Sequence, residues 1–216
     1  MNRNTFLIML HSCLLVMVFS VPEKSAAAEV IFDRSSDSLK RGAVTFVNLC
    51  MLCHEMKYLR YQNLLEVGFS HNEVDALRKD KNIQDPLQSS TAPEVAKLLF
   101  GMRPPELSLM AKARKNGPSY IYNLLTSYYE TADGVIQNQV FPGISMPDVL
   151  SYSIETDPLV RERLEQKARE VAVFMEWAAD PNANQRRNMG YYVMAYLFIL
   201  TFLLYLMKRK VWRRLK

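Results

Sequence analysis

Cys50-Met51-Leu52-Cys53-His54 is the stretch from which the rest of the chain is read. Cysteines three apart lie on one face of a helical turn, and His54 follows four residues after the first thiol. Such a turn sets two thiols to close thioether bonds to the two vinyl groups of one haem. It also delivers an imidazole to the iron from the same side, which is the attachment pattern of c-type haem. Three other readings share so short a pattern: a redox dithiol, half of a zinc site, and chance spacing.

The cysteine census weighs between them. The chain has three cysteines, and Cys13 lies in a segment with the marks of a leader. Removal of that segment would leave only the two thiols of the motif. A zinc site needs about four ligands, and beyond His54 only His71 and scattered carboxylates are on offer. A thioredoxin-like dithiol sits beside a strand–helix–strand pattern, and no such pattern surrounds Cys50. Zinc is disfavoured, while the dithiol stays as the weaker alternative.

The two ends of the chain read as membrane signals. Met1-Asn2-Arg3 precedes an apolar run from Phe6 to Val21, and Ser25-Ala26-Ala27-Ala28 offers small residues for cleavage. Residues 1–28 are therefore expected to be a secretory signal peptide. At the other end, Met189 to Met207 is apolar without a charge, spanning roughly 28 Å as a helix against a bilayer core of about 30 Å. Lys208, Arg209, Lys210, Arg213, Arg214 and Lys216 follow it, so the positive-inside rule puts the C-terminus in the cytoplasm. Residues 186–216 are then a transmembrane anchor with a basic tail, and 29–185 an exported domain. Such a protein would sit in a bacterial inner membrane, single-pass, with its body in the periplasm.

The formal charge of +5 misleads when taken whole. Residues 29–185 carry 17 bases and 21 acids, and within them 116–185 carries 4 bases and 10 acids, a net of −6. Nucleic-acid binders turn basic faces outward, so that class is disfavoured. A basic soluble protein is the partner such a surface would steer.

Helical periodicity dominates the body. Leu39, Ala43, Phe46, Val47 and Cys50 form one apolar stripe, predicting a helix from Ser38 to about Leu59. A short helix is expected within 64–77 and another from Arg103-Pro104-Pro105-Glu106 through Lys115. Pro118 opens a third, with Tyr120, Ile121, Leu124, Leu125 and Tyr128 as its apolar side. Asp157 is placed to cap, and Pro158 to start, a last helix ending at Asp180-Pro181. Residues 79–96 read as polar turns, and no sustained strand is expected. The fold class is mainly α: a c-type cytochrome domain with long loops around one haem, plus one C-terminal transmembrane helix.

Iron held by His54 has a second axial position. His71 is close in sequence and lies in a polar stretch. Among methionines outside the leader, the anchor and the motif, Met102, Met110, Met146 and Met175 remain. Met146 sits in the constrained loop Phe141-Pro142-Gly143-Ile144-Ser145-Met146-Pro147 and is favoured by position, without excluding the other three.

Five stretches carry a family resemblance. Arg41-Gly42-Ala43 through His54, Pro104-Pro105-Glu106-Leu107-Ser108, Ala113-Arg114 with Tyr120 to Tyr128, Phe141-Pro142-Gly143, and Phe174-Met175-Glu176-Trp177 on through Arg187-Asn188-Met189-Gly190 together resemble cytochrome c1. That family is the haem-bearing subunit of the cytochrome bc1 complex. Departures are Glu106 for the family's Asp, a shorter loop before Met146, Pro147-Asp148 where the family reads Ala-Pro-Pro, and an abbreviated 79–103.

The resemblance implies one covalent haem c bound by Cys50, Cys53 and His54, with Met146 as sixth ligand. It further implies Arg114 at a propionate, Tyr120 and Pro105 lining the pocket, and Gly42 where the first and last helices cross. The implied role is non-catalytic: one electron at a time is taken from a Rieske iron–sulfur subunit and given to a cytochrome c. Cytochrome b and membrane lipid would be the other partners, in a complex that is dimeric in the family. A membrane-anchored cytochrome subunit of another oxidase or dehydrogenase is the alternative, and a tethered thiol–disulfide oxidoreductase a more distant one.

Overall fold

The computed structural model describes residues 30–213. The expected leader lies outside them, as do the last three residues. The chain divides into the units Met1–Ile31 and Phe32–Lys216. Every helix and strand among the described residues belongs to the second unit.

Two helices form its frame. α1 (Ser36–Leu49) is capped by the Ser35 hydroxyl, which accepts the Ser38 amide. α6 (Pro158–Ala179) begins on Asp157, whose carboxylate accepts the Leu159 amide, with Pro158 in the first turn. They cross on small residues: a Cβ at Gly42 would stand 2.1 Å from the Glu170 carbonyl oxygen. The close approach explains a glycine inside a helix, where it costs about 1 kcal/mol. Phe46 and Phe174 meet beside the crossing with ring centroids 5.6 Å apart, and both are fully buried. Glu170 is buried on α6 and compensated by Arg41 at 2.7 Å and the Gln166 amide at 2.9 Å.

The first helix is shorter than its apolar stripe predicts. It stops at Leu49, Cys50–Leu52 tightens to a 3-10 turn, and Met56–Arg60 becomes strand β1. The reason is sideways bonding. β1 pairs antiparallel with β2 (Pro86–Leu87), and the Glu55 carbonyl accepts the Leu107 amide at 2.9 Å. Backbone groups that a continuing helix would use internally are thus taken by remote segments. A second 3-10 turn covers Tyr61–Val67, and α2 (His71–Arg78) is closed at its start by a Ser70–Glu73 capping box.

Two further expectations change. Pro93 is not a turn but the first residue of helix α3 (Pro93–Phe100). Residues 103–109 are not helical, and α4 spans only Met110–Ala113. Consecutive prolines supply no amide donor and push the residue before each out of the helical region. α5 (Pro118–Thr126) forms where expected. It leads into a hairpin, β3 (Tyr128–Glu130) with β4 (Ile136–Asn138), turned at Gly134 with φ +76°. α7 (Ala183–Arg213) is 31 residues long and the one helix among the described residues long and apolar enough to cross a membrane.

Candidate functional site

A cavity of about 370 Å³ opens between the Cys50 turn, the 103–110 segment, α5, the 141–149 loop and α6. Cys50, Cys53, His54, Pro105, Arg114, Tyr120 and Met146, the seven residues singled out in the sequence, all line it. The remaining wall is mainly apolar, with Ile121, Leu124, Leu125 and Val171 among it. Met102, Met110 and Met175 also face this space, so three rival thioethers stand near Met146.

The motif is closed by its own backbone. The Cys50 carbonyl accepts the amides of Cys53 at 3.1 Å and His54 at 2.8 Å. A strap from the 79–96 region pins it from outside: the Met51 carbonyl accepts the Ser90 amide, and the Leu52 carbonyl accepts the hydroxyls of Ser89 and Thr91. Nothing in residue type marks these serines and the threonine beforehand, because their partners are main-chain atoms about forty positions away.

His54 is half-buried, and its Nδ1 lies 2.8 Å from the Pro105 carbonyl. A carbonyl only accepts, so Nδ1 carries the proton and Nε2 keeps a lone pair for a metal. Burial lowers the imidazole pKa, an effect partly opposed by that same carbonyl. The ring is therefore neutral and oriented, as a ligand must be. Pro105 contributes its backbone oxygen as well as a wall.

Burial, with a smaller contribution from the charge of Cys53, pushes the Cys50 thiol up to about 12. Reactive dithiols have lowered thiol pKa values, so the geometry weighs against a redox dithiol. The Arg114 guanidinium stands 5.5 Å from the Tyr120 ring centroid at the cavity rim and has no ion-pair partner among the described residues. That leaves it available to an anionic group of a bound cofactor.

Met146, also on the cavity wall, is half-buried and packs on the core. Its carbonyl accepts the Tyr128 hydroxyl at 2.9 Å. Asp148 accepts the Ser153 amide at 2.7 Å through Oδ2, while its Oδ1 and the Ser153 hydroxyl are buried without partners. Burial and the charge of Asp148 push the Tyr128 hydroxyl up to about 12.

The donor set fits a haem: two thiols on one turn, an imidazole with Nε2 free, a thioether on the 141–149 loop and a guanidinium at the rim. Its cavity lies within the roughly 300–1,000 Å³ usual for small-molecule sites. Fold and site together fit a c-type cytochrome that also carries a helix of membrane-spanning length.

The chain belongs to the cytochrome C1 family, whose model matches residues 27–97 and 87–215. It is 31% identical to a cytochrome c1 of Rhodospirillum rubrum over 86% of this chain and 85% of that protein. A cytochrome c1 of Allochromatium vinosum is 28% identical over 97% of this chain and 96% of its own length. A protein named ammonia monooxygenase gamma subunit, from Nitrosomonas europaea, is 27% identical over 88% of this chain and 91% of its own. The family carries covalently bound haem c.

Proposed function

We propose that the chain is the electron-transfer subunit of a respiratory bc1-type complex, accepting one electron at a time from a Rieske iron–sulfur subunit and giving it to a cytochrome c. The observation that carries this reading is that Cys50, Cys53, His54 and Met146 line the same cavity, in a chain of the cytochrome C1 family with a membrane-length helix over Ala183–Arg213.

Haem c supplies a one-electron couple when bound. The chain supplies the rest. Cys50 and Cys53 would tether the cofactor, and His54, held through Nδ1 by the Pro105 carbonyl, would have Nε2 free to ligate its iron. Met146 offers the thioether that favours the reduced state. Arg114 offsets propionate charge, and the apolar wall excludes water and so favours electron exchange over side reactions. Iron held by both His54 and Met146 would offer no open position to a substrate, so quinol oxidation would belong to partner subunits.

Residues 1–28 would be removed on export, 29–185 would face the periplasm, and 186–216 would anchor the domain in the bacterial inner membrane with the C-terminus inside. Cytochrome b would contact the anchor, and a basic cytochrome c the acidic 116–185 face, in a dimeric complex. Purification from solubilised membranes tests this. Haem should stay with the polypeptide on a denaturing gel, and a b-type cytochrome and an iron–sulfur protein should co-purify. A colourless polypeptide with two alkylatable thiols would overturn it. Recovery with monooxygenase subunits instead would move the haem protein into another complex, as the likeness to the Nitrosomonas europaea protein invites.

A further inference from the structure

Met146 lies on an irregular loop of nine residues, 139–147, between β4 and the turns that precede α6. Its backbone bonding is one turn, the Ile144 amide donating to the Phe141 carbonyl at 3.2 Å, and one bond at its start, the Gln139 amide donating to the Ser127 carbonyl at 3.0 Å. A ligand placed on such a loop needs its main chain fixed from elsewhere. Pro147 cannot donate a hydrogen bond and restricts the residue before it, so that fixing falls on the Met146 carbonyl.

Two buried side chains of the β3–β4 hairpin do this. Tyr128 and Asn138 stand opposite each other in the register, and they are only 4% and 1% exposed. Asn138 fixes the loop's entry: its Oδ1 accepts the amides of Val140 at 2.9 Å and Phe141 at 3.0 Å. Its Nδ2 donates to the Leu124 carbonyl of α5 at 2.8 Å, which ties the hairpin to the cavity wall. Tyr128 fixes the loop's exit by donating to the Met146 carbonyl at 2.9 Å. Every polar atom of the pair's side chains points at the loop or at the helix lining the cavity.

We propose that Tyr128 and Asn138 are positioning residues, a two-point clamp that holds the Met146 thioether in place as sixth ligand. The clamp rests on the reading of Met146 as that ligand. It makes opening of the sixth position depend on a hairpin whose own residues do not line the cavity.

Imidazole titrated against the oxidised full-length protein reads how readily the sixth position opens, and the reduction midpoint reads the ligand field. Met146→Leu serves as reference. Tyr128→Phe should tighten imidazole binding about tenfold, the factor one lost buried hydrogen bond is worth, and shift the midpoint in the direction of Met146→Leu. Asn138→Asp keeps the acceptor for Val140 and Phe141 but loses the tie to Leu124, and should give a smaller shift of the same sign. Tyr129→Phe, on the exposed side of the same strand, should match the parent.

The clamp is overturned if Tyr128→Phe lowers only the melting temperature, keeping parent imidazole affinity and midpoint while Met146→Leu moves both. Where Tyr128→Phe fails to retain haem, parent values for Asn138→Asp overturn it equally. If Met146→Leu itself changes neither reading, the ligand assignment falls first and the clamp with it.

Discussion

The ring of His54 has two nitrogens, and the Pro105 carbonyl at 2.8 Å leaves only one of them for a metal. That contact is invisible in residue types, since any residue at 105 brings a carbonyl. Cys50, Cys53 and His54, by contrast, can be singled out in the sequence because their chemistry lies in the side chains, and the fold brings all three to the same cavity. Met146 stands between these cases: position favours it, yet Met102, Met110 and Met175 reach the same cavity. Replacing Met146 with Leu is expected to lower the reduction midpoint, because a lost thioether no longer favours reduced iron; redox titration showing no change would exclude it as ligand. At Gly42, the added methyl of an alanine gains about 1 kcal/mol of helix propensity. Overpacking costs about 1–3 kcal/mol, and an approach of 2.1 Å to the Glu170 carbonyl belongs at the upper end. Gly42→Ala is therefore expected to lose about 2 kcal/mol net in thermal unfolding, and a more stable variant would disprove the close crossing.

Among the elements, α6 was readable to its ends because Asp157, Pro158 and Asp180-Pro181 are local signals. The break after Leu49 was not, because the partners that end α1's register are Pro86–Leu87 and Leu107, distant in sequence. The junction of α6 with α7 rests on Asp180, which is bridged by Lys112 of α4 at 2.7 Å and by Arg186 of α7. Hydrogen bonds from Arg186 and then Lys112 hold its carboxyl well below the usual range. A lowered folded pKa means the stabilisation is complete above the ordinary aspartate value of about 3.9. It is lost as pH falls from there through the lowered value. Asp180→Asn should loosen residues 180–186 at neutral pH as only strong acid does in the parent. Amide exchange across that junction measures it, and unaltered protection would dismiss the bridge.

For the molecule as a whole, the acidic 116–185 segment is thinner as a surface than as a count. Glu165, Glu170, Glu176 and Asp180 are engaged in ion pairs, with Arg169, Arg41, Arg34, and Lys112 and Arg186 respectively. Glu130, Asp133, Asp157 and Glu162 are exposed and Glu155 is half-buried, with no ion pair among the described residues. Electron delivery to a basic cytochrome c should slow as ionic strength rises from about 0.01 to 0.15 M, over which the Debye length shrinks from about 30 to about 8 Å. Stopped-flow rates insensitive to salt would place docking on another surface.

Sequence by itself determined the cofactor chemistry, the family and the membrane-length helix, because each is written in side-chain type at short spacing: two thiols and an imidazole in five residues, or nineteen uncharged residues before a cluster of cations. Tertiary structure alone decided where α1 ends, which nitrogen of His54 is free, and how the Met146 loop is held. Each is settled where a main-chain carbonyl or amide meets a distant partner across the fold, another main-chain group or a side chain such as Tyr128 or Asn138, and main-chain groups are carried alike by nearly every residue type.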